Sequence, residues 1–386
     1  MTSAIPFHRP SIGDEEVEGV VRVLRSGWLT TGAETAAFEE EFSEAVQAEH
    51  AVAVSSGTAA LELALAAFDV APGDEVVTTP LTFVATVEAI LRVGAKTVFA
   101  DVDPKTGCLD VAAVEARLTE RTRAILPVHL AGHPADLGAL RELARSRGLV
   151  VIDDAAHAFG ARAGGLPVGS AADATAFSFY ANKNITTGEG GMITLADGPR
   201  ARRLRRLRLH GLEAGTHERR AGSRVRGARV VELGTKSNLP DLLSVIGRAQ
   251  LRKSLDFEDR RRVLAARYRE ALAGVDGLRL PADVDRPGDH HAWHLFIVQW
   301  TEGLGGVNRD EAADTLGAMG IGTAVHYPPL HLMEPFQAMG LGRPGEFPVA
   351  ELRGRESLAL PLYPTLGDDE VDRIAEAVVA IAEGGR

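Results

Sequence analysis

Cysteine, lysine and long apolar runs are all scarce in this sequence. Cys108 is the single cysteine, which excludes an internal disulfide framework and any zinc or iron–sulfur site built from several thiolates. No run approaches the roughly 20 apolar residues of a membrane-spanning helix. Met1–Pro10 has neither a basic start nor an apolar core, so no secretory signal is expected and a cytoplasmic location is. The formal net charge of −11 argues against a general nucleic-acid binder. Lysine is the most telling scarcity: Lys96, Lys105, Lys183, Lys236 and Lys253 stand against 37 arginines. An amine can lose its proton and form a Schiff base, whereas a guanidinium cannot. A lysine in a polar, glycine-rich loop is therefore a candidate for chemistry.

What is present has the balance of a soluble globular protein, with 386 residues, 45% hydrophobic and 25% charged. Such a length implies two domains, a large one over residues 1–250 and a smaller α/β one over 251–386. Up to about residue 250, short β-branched runs alternate with longer Ala/Leu-rich segments. Strands are expected at Ala51–Val54, Glu75–Thr79, Thr97–Ala100, Ala124–Val128, Leu149–Asp153, Ala174–Phe179 and Gly191–Leu195. Helices are expected at Thr58–Phe68, Phe83–Arg92, Val111–Leu118 and Leu137–Arg147. Nearly all-apolar strands in this alternation predict an α/β fold with a mostly parallel central sheet covered by helices on both faces. Further on, one helical stretch is expected over Leu239–Leu272, strands at Trp293–Val298 and Gly322–Val325, and a final helix at Asp368–Ala382.

Three motifs carry chemistry. Ser55-Ser56-Gly57-Thr58 follows a buried strand and opens a helix, which is the form of a phosphate cradle and equally of a plain N-cap. Val150-Val151-Ile152-Asp153-Asp154 runs an apolar strand into two carboxylates at the edge where open α/β sheets place ligands. A buried carboxylate there calls for a cation, and a protonated pyridine nitrogen is one. A metal is the competing reading, but no nearby cluster completes a ligand set, and none is assigned. Lys183 lies in Phe177–Gly191, behind aromatic residues and ahead of a Gly/Thr loop. Cradle, strand-end Asp and loop Lys, in this order, supply what pyridoxal phosphate needs: phosphate binding, a charged partner for the ring nitrogen, and an amine.

The chain resembles, over nearly its full length, the DegT/StrS-type sugar aminotransferases of the fold type I, aspartate-aminotransferase-like architecture. The matching stretches are Gly27–Gly32, Ser55–Leu61, Thr82–Thr86, Asp153–His157, Phe177–Gly191 and Val325–His331. The resemblance implies that Lys183 is the Schiff-base lysine and proton shuttle, and that Asp154 pairs with the pyridine nitrogen. It places His157 near the ring hydroxyl, Phe83 on the ring face, and Gly57, Thr58 and Ser178 on the phosphate. It also implies a homodimer with shared active sites, in which Asn238, or else Lys236, reaches the neighbour's cofactor phosphate. Trp28, Thr30, His326, Tyr327 and His331 match loops that line the sugar site in this family. The expected activity is transfer of an amino group from an amino acid, L-glutamate first, to a nucleotide-linked keto-6-deoxysugar. Pyridoxamine phosphate is the half-reaction form. The variant Gly234-Thr235-Lys236-Ser237-Asn238 leans towards C4. The rivals are an L-glutamine-dependent keto-cyclitol aminotransferase, a sugar dehydratase (which would carry His in place of Lys183) and a non-catalytic sensor on the same fold. Most of the arginines among Arg200, Arg202, Arg203, Arg205, Arg206, Arg208, Arg219, Arg220, Arg224, Arg226 and Arg229 read as a solvated helix face. One or two of them are candidates for a nucleotide diphosphate.

Overall fold

A computed structural model describes residues 4–213 and 229–385. Arg219, Arg220, Arg224 and Arg226 lie outside the described residues. Two helices, α1 (Asp14–Ser26) and α2 (Ala33–Ala45), precede a seven-stranded sheet. Its strands are β1 (His50–Val54), β2 (Glu75–Thr78), β3 (Lys96–Phe99), β4 (Thr122–Leu126), β5 (Val150–Asp154), β8 (Ala174–Ser178) and β9 (Gly191–Leu195). The short pair β6 (Arg162–Ala163) and β7 (Leu166–Pro167) stands apart from it. The sheet order is β1-β9-β8-β5-β4-β2-β3, with β9 antiparallel to both of its neighbours and the remaining pairs parallel. Six strands therefore share one direction, and the C-terminal ends of β1, β2, β4, β5 and β8 open on one edge. Helices α3 (Gly57–Ala67), α4 (Val84–Arg92), α5 (Val111–Arg117) and α6 (Leu137–Arg147) make the crossovers.

Period-2 alternation sorts the apolar strand residues between the two faces. Val52, Val54, Val76, Ile152 and Ala176 pack with α3 and α4 on one side. Ala51, Ala53, Val77, Ile125 and Val151 pack with Phe38, Phe42 and Phe177 on the other.

The expected helix Leu239–Leu272 is two helices, Asp241–Arg252 and Ser254–Ala271, separated at Lys253. They serve different cores: the first packs on α1 and α2, the second on the final helix Asp368–Ala382. Arg248 fixes the first by pairing with Glu34 at 2.5 Å and Glu41 at 2.5 Å. The smaller unit is a three-stranded antiparallel sheet of β10 (Leu278–Arg279), β11 (Phe296–Trp300) and β12 (Ser357–Leu360). Gly322–Val325 does not join it as a strand. Its backbone is divided between Ile5, whose carbonyl takes the Gly322 N–H, and a single bridge from Ala324 to Ala359. Chain order and packing cross near the two ends. Ile5 packs in the core of the smaller unit, while Leu330, Phe336 and Phe347 pack in that of the larger.

Candidate active site

A cavity of about 350 Å³ lies at the C-terminal edge of the parallel strands, where such sheets place ligands. Ser56, Gly57 and Thr58 enter it from the β1–α3 turn, Asp154 and His157 from the end of β5, Ser178 from the end of β8 and Lys183 from the loop beyond it. Phe83 and Tyr327 also line the wall.

The cradle is built by helix termination and by a missing side chain. The first N–H groups of a helix have no intrahelical acceptor. In α3 the Ala59 N–H is taken by Ser56 Oγ at 3.1 Å, and Gly57 and Thr58 sit at the open end. A Cβ on Gly57 would lie 2.8 Å from Ser178 Cβ, so only glycine leaves this approach open. Together with the helix dipole, this donor set suits a phosphate.

The Lys183 loop is folded back on itself. The Phe179 N–H donates to Gly190 O at 2.8 Å, its carbonyl accepts from Thr187 N at 3.0 Å, and the Lys183 N–H donates to Tyr180 O at 2.9 Å. The His8 Nε2–H donates to Ala181 O at 3.0 Å, and Asn184 Nδ2 to Phe159 O and Ala292 O. Burial brings the Lys183 amine down to about 8, with the Asp154 charge opposing. Asp154 is buried, and its carboxyl is pushed up by that burial. Donors from Ala156 N at 3.0 Å and Thr86 Oγ1 at 2.9 Å, and the Lys183 charge, pull it back. A buried carboxylate facing a cavity beside a tuned amine fits a pyridinium partner, and the residues present thus fit pyridoxal phosphate at both ends. Asp153 points the other way, accepting from the fully buried His129 Nε2 at 2.9 Å.

His157 accepts the Ala131 N–H at Nδ1 (3.3 Å) and meets the Tyr327 hydroxyl at Nε2 (3.1 Å). Burial, then the Lys183 and His326 charges, hold its pKa well below the ordinary value, so the ring is neutral. Phe83 is 57% exposed at the rim, its ring 6.1 Å from that of Tyr327. His326 stands behind Tyr327, stacked on Phe7 at 5.7 Å, and burial followed by the Lys183 charge lowers it to about 4.

The remaining expected residues lie elsewhere within the chain. His331 is a correction: it is fully buried, its Nε2 is 3.0 Å from Glu351 Oε1, and its ring packs against Phe347. The turn at Pro328-Pro329 carries this ring into the core instead of the cavity. Trp28 and Thr30 sit on the α1–α2 connection, where Trp28 Nε1 donates to Thr31 O and Thr30 O accepts from Asp241 N. Asn238 donates to Thr31 Oγ1 at 2.6 Å and accepts from Lys236 Nζ. It lines a second cavity of about 340 Å³ with Arg202, Arg205, Arg206 and Arg208. Sequence reasoning missed Tyr180, Asn182 and Glu189 in the wall. It also gave no role to Thr82 and Thr86, although their i,i+4 spacing was a visible signal; Thr82 Oγ1 lies 2.8 Å from Thr86 Oγ1. Nothing in the sequence signalled His294, whose ring lies 4.4 Å from that of His157.

Residues 10–379 match the model of the DegT/DnrJ/EryC1/StrS aminotransferase family. The spore coat polysaccharide biosynthesis protein SpsC of Bacillus subtilis is 42% identical over 98% of this chain and 97% of its own. Among solved structures, Spr1654 from Streptococcus pneumoniae in its PMP-form superposes with a TM-score of 0.91 at 32% identity, over 98% of this chain and 99% of that one; it is also known in a PLP-form. Helicobacter pylori PseC, an aminotransferase involved in the biosynthesis of pseudoaminic acid, gives 0.91 at 27% identity over 99% and 100% of the two chains. The chain belongs to the DegT/DnrJ/EryC1/StrS aminotransferase family and is a pyridoxal-phosphate-dependent sugar aminotransferase.

Proposed function

We propose that this enzyme moves an amino group from L-glutamate to C4 of a nucleotide-linked keto-6-deoxysugar, as a cytoplasmic homodimer with shared active sites. The observation that carries the chemical part is the meeting of the Lys183 amine, the buried Asp154 carboxylate and the Gly57–Thr58 cradle in one cavity. Pyridoxal phosphate, when bound, supplies the electron sink. Around it Gly57, Thr58 and Ser178 hold the phosphate, Asp154 faces the ring nitrogen, and Phe83 covers the ring face. Lys183 Nζ, with a pKa close to neutrality, takes a proton from the substrate carbon and returns it, which an amine at its ordinary pKa does poorly. Tyr327 and His326, with Trp28 and Thr30, meet the sugar. The shared site is supported by Asn238, which stands outside its own chain's cavity on an arginine-rich wall. That wall also suits a nucleotide diphosphate. The C4 assignment is supported by Lys236 and Asn238 together with the His326–His331 loop.

The test is a screen in the pyridoxamine form. A nucleotide-linked 4-keto-6-deoxysugar is expected to restore the yellow colour of the pyridoxal form within one turnover. Recovery with a keto-cyclitol alone, after charging with L-glutamine, overturns the sugar assignment in favour of the rival.

A further inference from the structure

We propose that His157 and Tyr327 form a directed hydrogen-bond relay whose single outlet is a donor O–H on the cavity wall, placed for an oxygen acceptor of the bound molecules. Two acceptors share that chemistry: the ring oxygen of the cofactor and the carbonyl oxygen of the keto sugar, the second resting on the function proposed above.

The direction follows from one backbone group. The Ala131 N–H points at His157 Nδ1, so that nitrogen carries a lone pair. A neutral imidazole with an acceptor Nδ1 has its proton on Nε2. Nε2–H therefore donates to the Tyr327 hydroxyl at 3.1 Å, and the phenol oxygen accepts. The reverse arrangement, Tyr327 donating to Nε2, would put a proton on Nδ1 facing the Ala131 N–H. With its oxygen committed to His157, the one proton of Tyr327 must be given elsewhere. Among the described residues the hydroxyl makes no second hydrogen bond to a protein acceptor. Tyr327 lines the cavity with Lys183, so the O–H is offered to a ligand there. Burial, followed by the Asp154 charge, keeps Tyr327 protonated throughout the working pH range. The wall thus gives hydrogen bonds and does not receive them. It favours a ketone or an anionic ring oxygen over a protonated amine.

The test uses Tyr327→Phe, His157→Leu and His157→Gln in protein loaded with pyridoxal phosphate, without donor or sugar. Its readout is the pH midpoint of the cofactor absorbance. If the ring oxygen is the acceptor, Tyr327→Phe leaves that oxygen more basic, and the midpoint rises by about one to two pH units, the worth of a hydrogen bond to a charged group. His157→Leu shifts it in the same direction. His157→Gln restores the wild-type midpoint, because a carboxamide both accepts from Ala131 and donates to Tyr327. If the sugar carbonyl is the acceptor, the midpoints stay put. The Kd of the keto sugar for the pyridoxamine form then rises about tenfold in Tyr327→Phe, and that of the aminated product does not. Unchanged midpoints together with unchanged sugar affinity overturn the relay, as does a Gln variant that shares a midpoint shift seen in Leu. Should no sugar bind the wild type, the proposed function fails while the absorbance titration still decides on the ring oxygen.

Discussion

Lys183 makes the apoenzyme's stability depend on pH in a way that can be worked out in advance. Burial lowers its pKa from 10.5 to about 8. Between those values the unfolded chain binds a proton that the folded chain has released, so stability rises with pH across the window. The penalty is fully present below pH 8 and disappears as pH passes 10.5. Between pH 7 and pH 9.5 the folded state gains about 2 kcal/mol from this one group. Lys183→Met keeps the length of the side chain and removes the titration. Urea unfolding of cofactor-free wild type and variant, at one protein concentration and at half-unit steps from pH 7 to 10, isolates the residue. Titrating groups remote from Lys183 contribute equally to both curves. The difference is expected to narrow by about 2 kcal/mol as pH rises. Parallel curves, agreeing to within about 0.5 kcal/mol, would show that the fold does not hold this amine out of water and would remove the basis for its reactivity.

Three further outcomes follow from neighbouring contacts. Gly57→Ala drives a Cβ to 2.8 Å from Ser178 Cβ; overpacking of about 1–3 kcal/mol lowers the melting temperature and weakens cofactor binding in equilibrium dialysis, and adding Ser178→Gly restores the melting temperature. Thr86→Val removes a donor from the buried Asp154 carboxylate and costs about 1.5–3 kcal/mol in urea unfolding, whereas Thr86→Ser retains most of it. His331→Ala deletes a fully buried ring paired with Glu351; it is expected to cost about 2–4 kcal/mol while leaving the single-turnover rate with the amino donor within about twofold of wild type, and a selective loss in sugar affinity would return His331 to the site.

The contrast between Lys183 and His331 shows which part of the site the sequence discloses. Gly57, Thr58, Asp154 and Ser178 were legible because each ends a strand or begins a helix, and in a parallel sheet those ends meet at one edge. Lys183 was legible because its loop chemistry is local: the Thr186 and Thr187 bonds to Phe179 O span seven and eight residues. Long-range partners were not. Thr86 meets Asp154 across 68 residues and Tyr327 meets His157 across 170, and no period or spacing encodes such a meeting. His331 misled for a related reason. Its loop matches one that lines the sugar site in the family, yet Phe99, Phe347 and Glu351 make an interior place for it. The fold followed the same division. Strand and helix identities in the parallel half came from local pattern, while Gly322–Val325 has strand composition but finds only one bridging partner in the sheet. The break at Lys253 depends on two helical faces that serve different cores, which the summed pattern over Leu239–Leu272 conceals.

The chemistry rests on Lys183 and its cofactor, and one absorbance experiment tests that directly. Purified protein loaded with pyridoxal phosphate is expected to show a yellow band that L-glutamate bleaches to the pyridoxamine form, and Lys183→Ala is expected to show no such conversion. A wild-type protein that acquires no chromophore from added pyridoxal phosphate, or a Lys183→Ala protein that converts as fast as wild type, would contradict it.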